Sequence, residues 1–289
     1  MQSKKIVLAT TTRNPGKRFN ASIKKALKIG EKFKSYHIII VESDSTKRLS
    51  KFFKSYKNNK NITVIRLGNL STKLKYGHLR TERISFSRNQ YIDLLKNEKK
   101  LEKFDYLIAF DSDGVSSLIS YKIIKDALEL KIDWSAQFPN QLIYYYDIYA
   151  LRSKNWVEEN YKIQRDKFLS KGINPKKAIL KSLSEKIIHI NVNSKLIPVE
   201  SAFGGLGIYK INRIKKARYV GSIDEKSVCE HIIFNKTISD EYPGTLFINP
   251  KLISGFGFPE HTFIPKILIK IIPSFIFDKL YIYYKLKQK

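Results

Sequence analysis

The feature that most constrains the fold of this chain is a repeated alternation of short apolar runs with amphipathic segments. Four runs have the length and composition of buried strands, at residues 5–10, 37–41, 62–67 and 105–110. Three other segments carry apolar residues at helical spacing, at residues 19–29, 80–95 and 121–130. This alternation predicts an α/β fold in which a mixed, mostly parallel central sheet is flanked by helices on both faces.

The second half of the chain has a less regular pattern. Residues 133–137 and 142–151 are typical of strands in a mixed sheet, and residues 198–209 of a strand interrupted by glycines. The segment 152–186 is polar and rich in lysine, which indicates a helical insertion or a loop, and residues 229–235 are typical of a short helix. We expect one domain over residues 1–262, made of halves at 1–130 and 131–262, followed by a basic aromatic tail at 263–289.

The charge of the chain favours anionic partners but does not indicate a nucleic-acid-binding surface. Lysine and arginine number 54 against 26 acidic residues, which gives a formal net charge of +28. The lysines are scattered along the whole length and form no basic patch with interleaved aromatic residues, so much of this charge lies on solvated faces. A nucleic acid is therefore a disfavoured partner.

The cysteine content and the lengths of the apolar runs indicate the cellular compartment in which we expect the protein. The single cysteine, Cys229, excludes an intrachain disulfide and a zinc site built from several thiolates, which favours a reducing compartment such as the cytoplasm. The first apolar run is too short for a signal-peptide core, and no stretch of about 18 apolar residues predicts a spanning helix. The tail at 263–289 mixes aromatic and aliphatic residues with lysine, which indicates either peripheral attachment to the inner face of a membrane or a helix packed on the domain.

Polar residues follow three of the predicted strands at the points where those strands end. Thr11, Thr12, Arg13 and Asn14 follow the first strand, Glu42 to Asp44 the second, and Asp111 to Asp113 the fourth. In open parallel sheets ligands bind beyond the carboxyl ends of the strands. We therefore expect these three segments to meet at one edge of the sheet.

The segment Asp111-Ser112-Asp113 is a candidate metal and diphosphate site. Mg²⁺ and Mn²⁺ prefer oxygen ligands and are often held by one or two carboxylates together with substrate phosphates. Asp, Ser and the following Gly114 are also common turn residues, so a simple turn is the alternative. The position at the end of a buried strand favours the metal site.

The strand followed by Asp111-Ser112-Asp113 resembles the Asp-x-Asp motif of glycosyltransferases with the GT-A fold. The runs at 146–152, 199–205 and 229–231 are similar to the fungal capsule-associated mannosyltransferase group and its bacterial relatives. This resemblance extends over residues 5–262. It implies a GT-A-like fold and the transfer of a hexose from a nucleoside-diphosphate sugar to a glycan or lipid-linked glycan in polysaccharide biosynthesis, with Mn²⁺ or Mg²⁺ as cofactor.

For the half at 1–130, the resemblance implies nucleotide binding. Asp111 and Asp113 would bind the metal, and Asp113 would also take part in catalysis. The remaining donor-binding residues on this reading are Thr11, Thr12, Arg13, Asn14, Glu42, Arg88, Asn89 and Ser112. Arginine offers planar donors to phosphate oxygens, and an asparagine in the middle of a helix requires a reason.

For the half at 131–262, the resemblance implies acceptor binding. Glu230 would act as the base if the anomeric configuration is inverted, or would bind the acceptor if it is retained; a helix-capping carboxylate is the alternative. The third metal ligand would be His261, His231 or neither, because a lone histidine is more often structural; His231 is otherwise an acceptor-binding residue. The other acceptor-binding residues on this reading are Trp134, Glu200, Ser201, Phe203, Gly204 and Gly205. Phe203 or Trp134 would stack on a sugar, and a β-bulge is the alternative for the two glycines.

Two other functions remain open at this point. A nucleotidyltransferase would have a related sheet, but it usually carries a glycine-rich loop after the first strand, where this chain has residues 11–16 with the sequence TTRNPG. A non-catalytic nucleic-acid-binding protein is suggested by the net charge alone.

Overall fold

The computed structural model describes residues 4–46, 53–54, 56, 58–101, 103–257, 272–277 and 279. Within these residues the core of the fold is an eight-stranded sheet with the order β3-β2-β1-β4-β7-β5-β10-β6, and a two-stranded hairpin pairs β8 with β9. The strands are β1 (Lys5–Thr12), β2 (Ser35–Ser43), β3 (Ile62–Gly68), β4 (Tyr106–Phe110), β5 (Ala136–Gln141), β6 (Ile197–Pro198), β7 (Leu206–Lys210), β8 (Ser222–Ile223), β9 (Lys226–Ser227) and β10 (Leu246–Gly255).

Helices cover the sheet on both faces. They are α1 (Lys17–Gly30), α2 (Leu70–Lys73), α3 (Arg80–Asn97), α4 (Tyr121–Leu128), α5 (Tyr161–Ser170), α6 (Pro175–Ser182) and α7 (Glu230–Glu241). Alternate residues of β1 enter two different core clusters: Ile6 packs in the cluster that holds Ile23 of α1, and Val7 packs in the cluster that holds Ile92 of α3. Because side chains alternate across a strand, β1 is buried on both sides, which explains its continuous apolar run.

The strand directions place six carboxyl ends at one edge of the sheet. Strands β1 to β4 pair in parallel, and β5 and β10 run in the same direction as β4. Only β7, inserted between β4 and β5, and the edge strand β6 are antiparallel to their neighbours among the eight strands of this sheet. The predicted fold class, a mixed and mostly parallel sheet flanked by helices, is confirmed.

Two predictions for the second half are wrong in detail. Residues 142–151 form no strand of the sheet; they make turns in which the Asp147 carboxylate accepts hydrogen bonds from the backbone N–H groups of Ala150 and Gly204. Their buried Tyr145, Ile148 and Leu151 give them the composition of a strand. Residues 198–209 form two separate strands, β6 and β7, because the loop between them includes Gly204 at a φ of 61°.

The predicted insertion at 152–186 contains α5 and α6, and the predicted short helix at 229–235 is the beginning of the longer α7. Most of the tail at 263–289 lies outside the described residues, as does residue 261. The division into functional halves stays a prediction. Among the residues that are described, no helix has the length and apolarity needed to cross a membrane.

Candidate functional site

A cleft of about 820 Å³ lies at the edge of the sheet where the parallel strands end. Its lining includes the residues that follow β1, β2 and β4, one side of α3, the loop before β7 and the start of α7. The sequence-predicted site residues that line it are Thr11, Thr12, Arg13, Asn14, Arg88, Asp111, Ser112, Asp113, Phe203, Gly205, Glu230 and His231. The expected convergence of polar strand ends is therefore present in the structure.

Hydrogen bonds hold the strand ends together. The Arg13 Nε donates to the backbone oxygen of Asp44 at 3.1 Å, which ties the segment after β1 to the segment after β2. The Ser112 hydroxyl donates to the backbone oxygen of Thr11 at 3.5 Å, which ties β4 to β1. Asn14, at a φ of 48°, accepts a hydrogen bond from the Thr46 backbone N–H at 2.9 Å. The loops after β1, β2 and β4 thus form one connected rim.

Asp111 and Asp113 both face this cleft, and their environments differ. Asp113 is exposed, and one of its oxygens accepts a hydrogen bond from the Val115 backbone N–H at 3.2 Å. The Asp111 side chain is 37% exposed and lines the cleft. Burial raises the pKa of Asp111 to about 7; Arg88 opposes this shift, and the charges of Asp113, Glu230 and Asp147 add to it. A carboxyl group among other carboxylates favours the approach of a cation.

Arg88 is a buried cation that contacts carboxylates on both sides of the cleft. Its side chain is 3% exposed, and its guanidinium lies 3.0 Å from the Asp111 Oδ1 and 3.4 Å from the Glu230 Oε1. The same group lies over the Phe203 ring, 4.8 Å from the centroid. Burial works against the charged form, but the Tyr91 hydroxyl and the two carboxylates outweigh it and hold the pKa of Arg88 well above its usual range. Arg88 is therefore a fixed cation that contacts both Asp111 and Glu230.

Glu230 is the first residue of α7, and its carboxylate pairs with Arg88 instead of capping the helix. The N-cap is Cys229, with no side-chain capping hydrogen bond. His231 stacks on Phe203 with ring centroids 3.7 Å apart, and neither of its buried ring nitrogens has a hydrogen-bond partner. Burial lowers the pKa of His231 well below its usual value, and Arg88 acts in the same direction, so the imidazole is neutral.

Asp147 lines the same cleft and was not singled out by the sequence pattern as a site residue. Its two oxygens accept hydrogen bonds from the Gly204 and Ala150 backbone N–H groups at 2.9 and 3.3 Å, and burial raises its pKa despite these bonds. Tyr146 also lines the cleft, as does Arg83, which pairs with Asp44 at 3.7 Å. An acidic residue within the aromatic run at 144–149 is the signal that points to Asp147.

The carboxylates at the end of β4 fit a divalent cation of the Mg²⁺ or Mn²⁺ type, because they offer hard oxygen ligands beside an open cleft. Within the described part of the chain, no group of three or more His, Cys, Asp or Glu side chains is arranged to hold a metal ion. Two carboxylates completed by substrate phosphates remain the arrangement that the chain offers. His261, one candidate for the third ligand, lies outside the described residues, and the unpartnered nitrogens of His231 are packed beside Phe203.

Several predicted site residues lie away from the cleft. Trp134 is 1% exposed and stacks on Tyr106 in the core, so stacking on a sugar does not fit its position. Asn89 donates to the Tyr219 oxygen at 2.9 Å and accepts from its N–H at 3.0 Å, which explains an asparagine inside α3 without a ligand. Glu200 is exposed outside the cleft.

The remaining three predicted residues support or adjoin the site. Ser201 is buried and contacts the His231 backbone oxygen, and Gly204 is bonded to Asp147. Glu42 is also buried; it pairs with Arg66 at 3.2 Å and faces a second cavity of about 400 Å³. That cavity shares Arg13, Asp44 and Arg83 with the main cleft, so the two spaces adjoin.

Comparisons with known proteins give partial structural similarities. No protein-family profile matches the chain, and no curated protein sequence matches it significantly. Residues 1–349 of TarS from S. aureus align with 84% of this chain and 57% of that one, at 13% identity and a TM-score of 0.46. The same TarS fragment in complex with UDP-GlcNAc aligns with 84% of this chain and 55% of that one, at 13% identity and a TM-score of 0.46.

The mannosyltransferase PcManGT from Pyrobaculum calidifontis, in complex with GDP-Man and Mn²⁺, aligns with 90% of this chain and 59% of that one, at 9% identity and a TM-score of 0.48. The chain thus spans between half and two thirds of the length of these structures. Similarity of this extent identifies neither a donor nor an acceptor.

Proposed function

We propose that this protein is a metal-dependent glycosyltransferase that moves a hexose from a nucleoside-diphosphate sugar to a glycan or lipid-linked glycan acceptor. The observation that carries the proposal is the position of Asp111 and Asp113. Both carboxylates follow β4 and face one cleft that also receives the segments after β1 and β2. This is the location at which parallel α/β sheets bind nucleotides.

On the donor side, each group has a separate task. Asp111 and Asp113 would hold a divalent cation, which would neutralise the negative charge on a departing nucleoside diphosphate. Arg88 orients Asp111 through the 3.0 Å contact. Thr11 and Arg13 lie on the rim where the nucleoside would rest.

On the acceptor side, Glu230 is the carboxylate placed to accept a hydrogen bond from a sugar hydroxyl. Arg88 holds it from one side at 3.4 Å, and helix α7 fixes its backbone. The neutral His231 beside it carries no charge that would compete for the carboxylate. An inverting reaction would use Glu230 as the base, and a retaining reaction would use it to position the acceptor.

A thermal-shift screen of UDP-, GDP-, CMP- and dTDP-sugars, with and without Mn²⁺, tests this proposal. One nucleotide sugar should raise the melting temperature only when Mn²⁺ is present, since binding to the folded state stabilises it. The stabilisation should be lost in Asp113→Ala, whose side chain is exposed and dispensable for packing.

Asp126→Ala is the matched control, because Asp126 is an exposed aspartate that pairs with Lys122 on α4 outside the cleft. Its response to the nucleotide sugar should equal that of the unchanged protein. If the nucleotide sugar stabilises Asp113→Ala as much as the unchanged protein, the proposed site is wrong. Stabilisation by a nucleoside triphosphate, and by no nucleotide sugar, would favour a nucleotidyltransferase.

A further inference from the structure

Tyr146 and Asp147 are consecutive residues in the turn that follows β5, and both line the cleft. We call them the Tyr-Asp pair. Each residue is partly exposed, so a substrate in the cleft can reach its side chain. One residue carries a hydroxyl and the other a carboxylate, so the pair brings a hydrogen-bond donor and an acceptor to one part of the cleft.

The Asp147 carboxylate is held in place by the backbone and has no cationic partner. Its oxygens accept hydrogen bonds from the Gly204 and Ala150 N–H groups at 2.9 and 3.3 Å. Among the described residues no lysine, arginine or histidine forms an ion pair with it, and the charge of Arg88 acts on it less than that of Glu230 does. Because a carboxylate oxygen can accept more than one hydrogen bond, both oxygens can take a further donor from the cleft.

The Tyr146 hydroxyl is a donor without a protein acceptor in the part of the chain that the structure describes. A Cβ atom on Gly205 would lie 3.3 Å from the hydroxyl oxygen, and the Gly205 oxygen accepts a hydrogen bond from the Asp111 N–H. The hydroxyl therefore lies beside the segment that adjoins Asp111. Burial, together with the charges of Asp147, Asp111 and Asp113, holds the pKa of Tyr146 well above its usual range, so the hydroxyl keeps its proton and can donate.

The order of the strands places the Tyr-Asp pair beyond the candidate metal site, as seen from the nucleoside rim. Strands β1 and β2 lie on one side of β4, and β7 and β5 lie on the other side. Neighbouring strands are about 4.8 Å apart, which is close to the length of one phosphate or one sugar ring. A nucleoside diphosphate that extends from the rim after β1 to Asp111 therefore directs its sugar towards β7 and the turn after β5.

We propose that the Tyr-Asp pair binds hydroxyl groups of the transferred hexose: the Asp147 carboxylate accepts a hydrogen bond from one hydroxyl, and the Tyr146 hydroxyl donates to a sugar oxygen. Sugars carry closely spaced hydroxyls that both donate and accept, so a neighbouring donor and acceptor are complementary to them. A phosphate does not fit this position, because the Asp147 carboxylate would repel it. This inference rests on the proposed function and assigns recognition of the donor sugar to residues that do not bind the nucleotide.

The test is isothermal titration calorimetry of the full chain in Mn²⁺ with UDP, UDP-glucose, UDP-N-acetylglucosamine, GDP and GDP-mannose. Tyr146→Phe should weaken the binding of a nucleotide sugar by about fivefold, and Asp147→Asn should weaken it by about tenfold or more, since a hydrogen bond to a charged group is the stronger one. The affinity of both variants for the matching nucleotide without the sugar should stay within about twofold of that of the unchanged protein.

Two features of the variants keep the test independent of folding. Tyr146→Phe removes a hydroxyl that makes no hydrogen bond among the described residues, so it should fold even if Asp147→Asn does not. The matched control is Tyr121→Phe, because Tyr121 is the first residue of α4 and lies outside the cleft. That variant should bind every nucleotide and nucleotide sugar like the unchanged protein.

Two results would overturn the sugar site alone. One is unchanged binding of the nucleotide sugars by Tyr146→Phe, and the other is an equal loss for the nucleotide and its sugar conjugate, which would make the pair a support of the nucleotide site. If the unchanged protein binds none of these compounds in the presence of Mn²⁺, the proposed function is wrong and the sugar site with it. Failure of the function and failure of the sugar site are therefore distinguishable.

Discussion

Replacing Arg88 by methionine tests whether one buried cation holds the carboxylates of the cleft in place. Methionine keeps most of the side-chain volume and removes the charge. The variant leaves Glu230, whose side chain is 10% exposed, and Asp111, 37% exposed, without their shared partner. The nearby Asp147 is acidic as well. The folded state should therefore lose stability.

The size of the loss follows from the burial of each contact. Breaking a buried ion pair by removing one partner costs about 3–5 kcal/mol, and the Glu230 contact belongs to this class. Water screens the more exposed Asp111, so that contact adds at most about 1 kcal/mol. Contacts with Phe203 and Tyr219 at 4.8 and 5.7 Å are partly retained by methionine, since its thioether packs well against aromatic rings. We expect a total loss of about 4 kcal/mol in the free energy of unfolding.

Urea unfolding, followed by the fluorescence of the two tryptophans, measures this loss. The matched control is Arg218→Met, because Arg218 and its partner Asp93 have exposed fractions of 47% and 38%. That variant should change the free energy by less than about 1 kcal/mol. If Arg88→Met also costs less than about 1 kcal/mol, the buried guanidinium does not hold the cleft together.

Three further predictions concern pH, backbone contact and the buried imidazole. Burial, with a smaller contribution from Lys100, lowers the pKa of His37 to about 4 against an unfolded value of 6.5. The free energy of unfolding that depends on His37 should be fully present above pH 6.5 and should fall as the pH drops from 6.5 towards 4. The variant His37→Phe should flatten this dependence in acid-unfolding curves. Gly255→Ala should lower the free energy of unfolding by about 2 kcal/mol or more, because its Cβ would meet a backbone oxygen at 1.9 Å. The control Gly16→Ala, whose Cβ would have nothing within 4 Å, should change it by less than about 1 kcal/mol. Equal effects of the two variants in denaturant unfolding would contradict this packing. His231→Phe removes two buried nitrogens that make no hydrogen bond, one of which lies 3.6 Å from the Glu230 Oε1. Thermal stability should stay equal or rise, and a large loss of stability would show that the contact with Glu230 matters.

The parts of the fold that sequence predicts are those fixed by local patterns. The apolar run of β1 is buried on both faces, so it is recognisable without knowledge of its partners. The Asp111-Ser112-Asp113 segment is recognisable because it directly follows a strand of the same kind. Position along the alternating pattern places Asp111-Ser112-Asp113 at the carboxyl edge of the sheet.

The parts that sequence does not predict depend on contacts between distant segments. Asn89 bonds to Tyr219, 130 positions away, and nothing near Asn89 distinguishes that role from ligand binding. Trp134 has an aromatic ring of the kind that stacks on sugars, but the strand order packs that ring on Tyr106. The carboxylate of Asp147 enters the cleft because an irregular turn, stabilised by its own hydrogen bonds, replaces the expected strand.

The antiparallel strand β7 joins two segments that line the cleft. It begins at Leu206, opposite Phe110 at the end of β4, and the Asp111 N–H donates to the Gly205 oxygen at 2.9 Å. The end of β4 and the loop before β7 are consequently joined by main-chain hydrogen bonds. The spacing between Asp111 and Gly205, which both line the cleft, is therefore set by main-chain bonds and does not depend on the identity of the side chains around them.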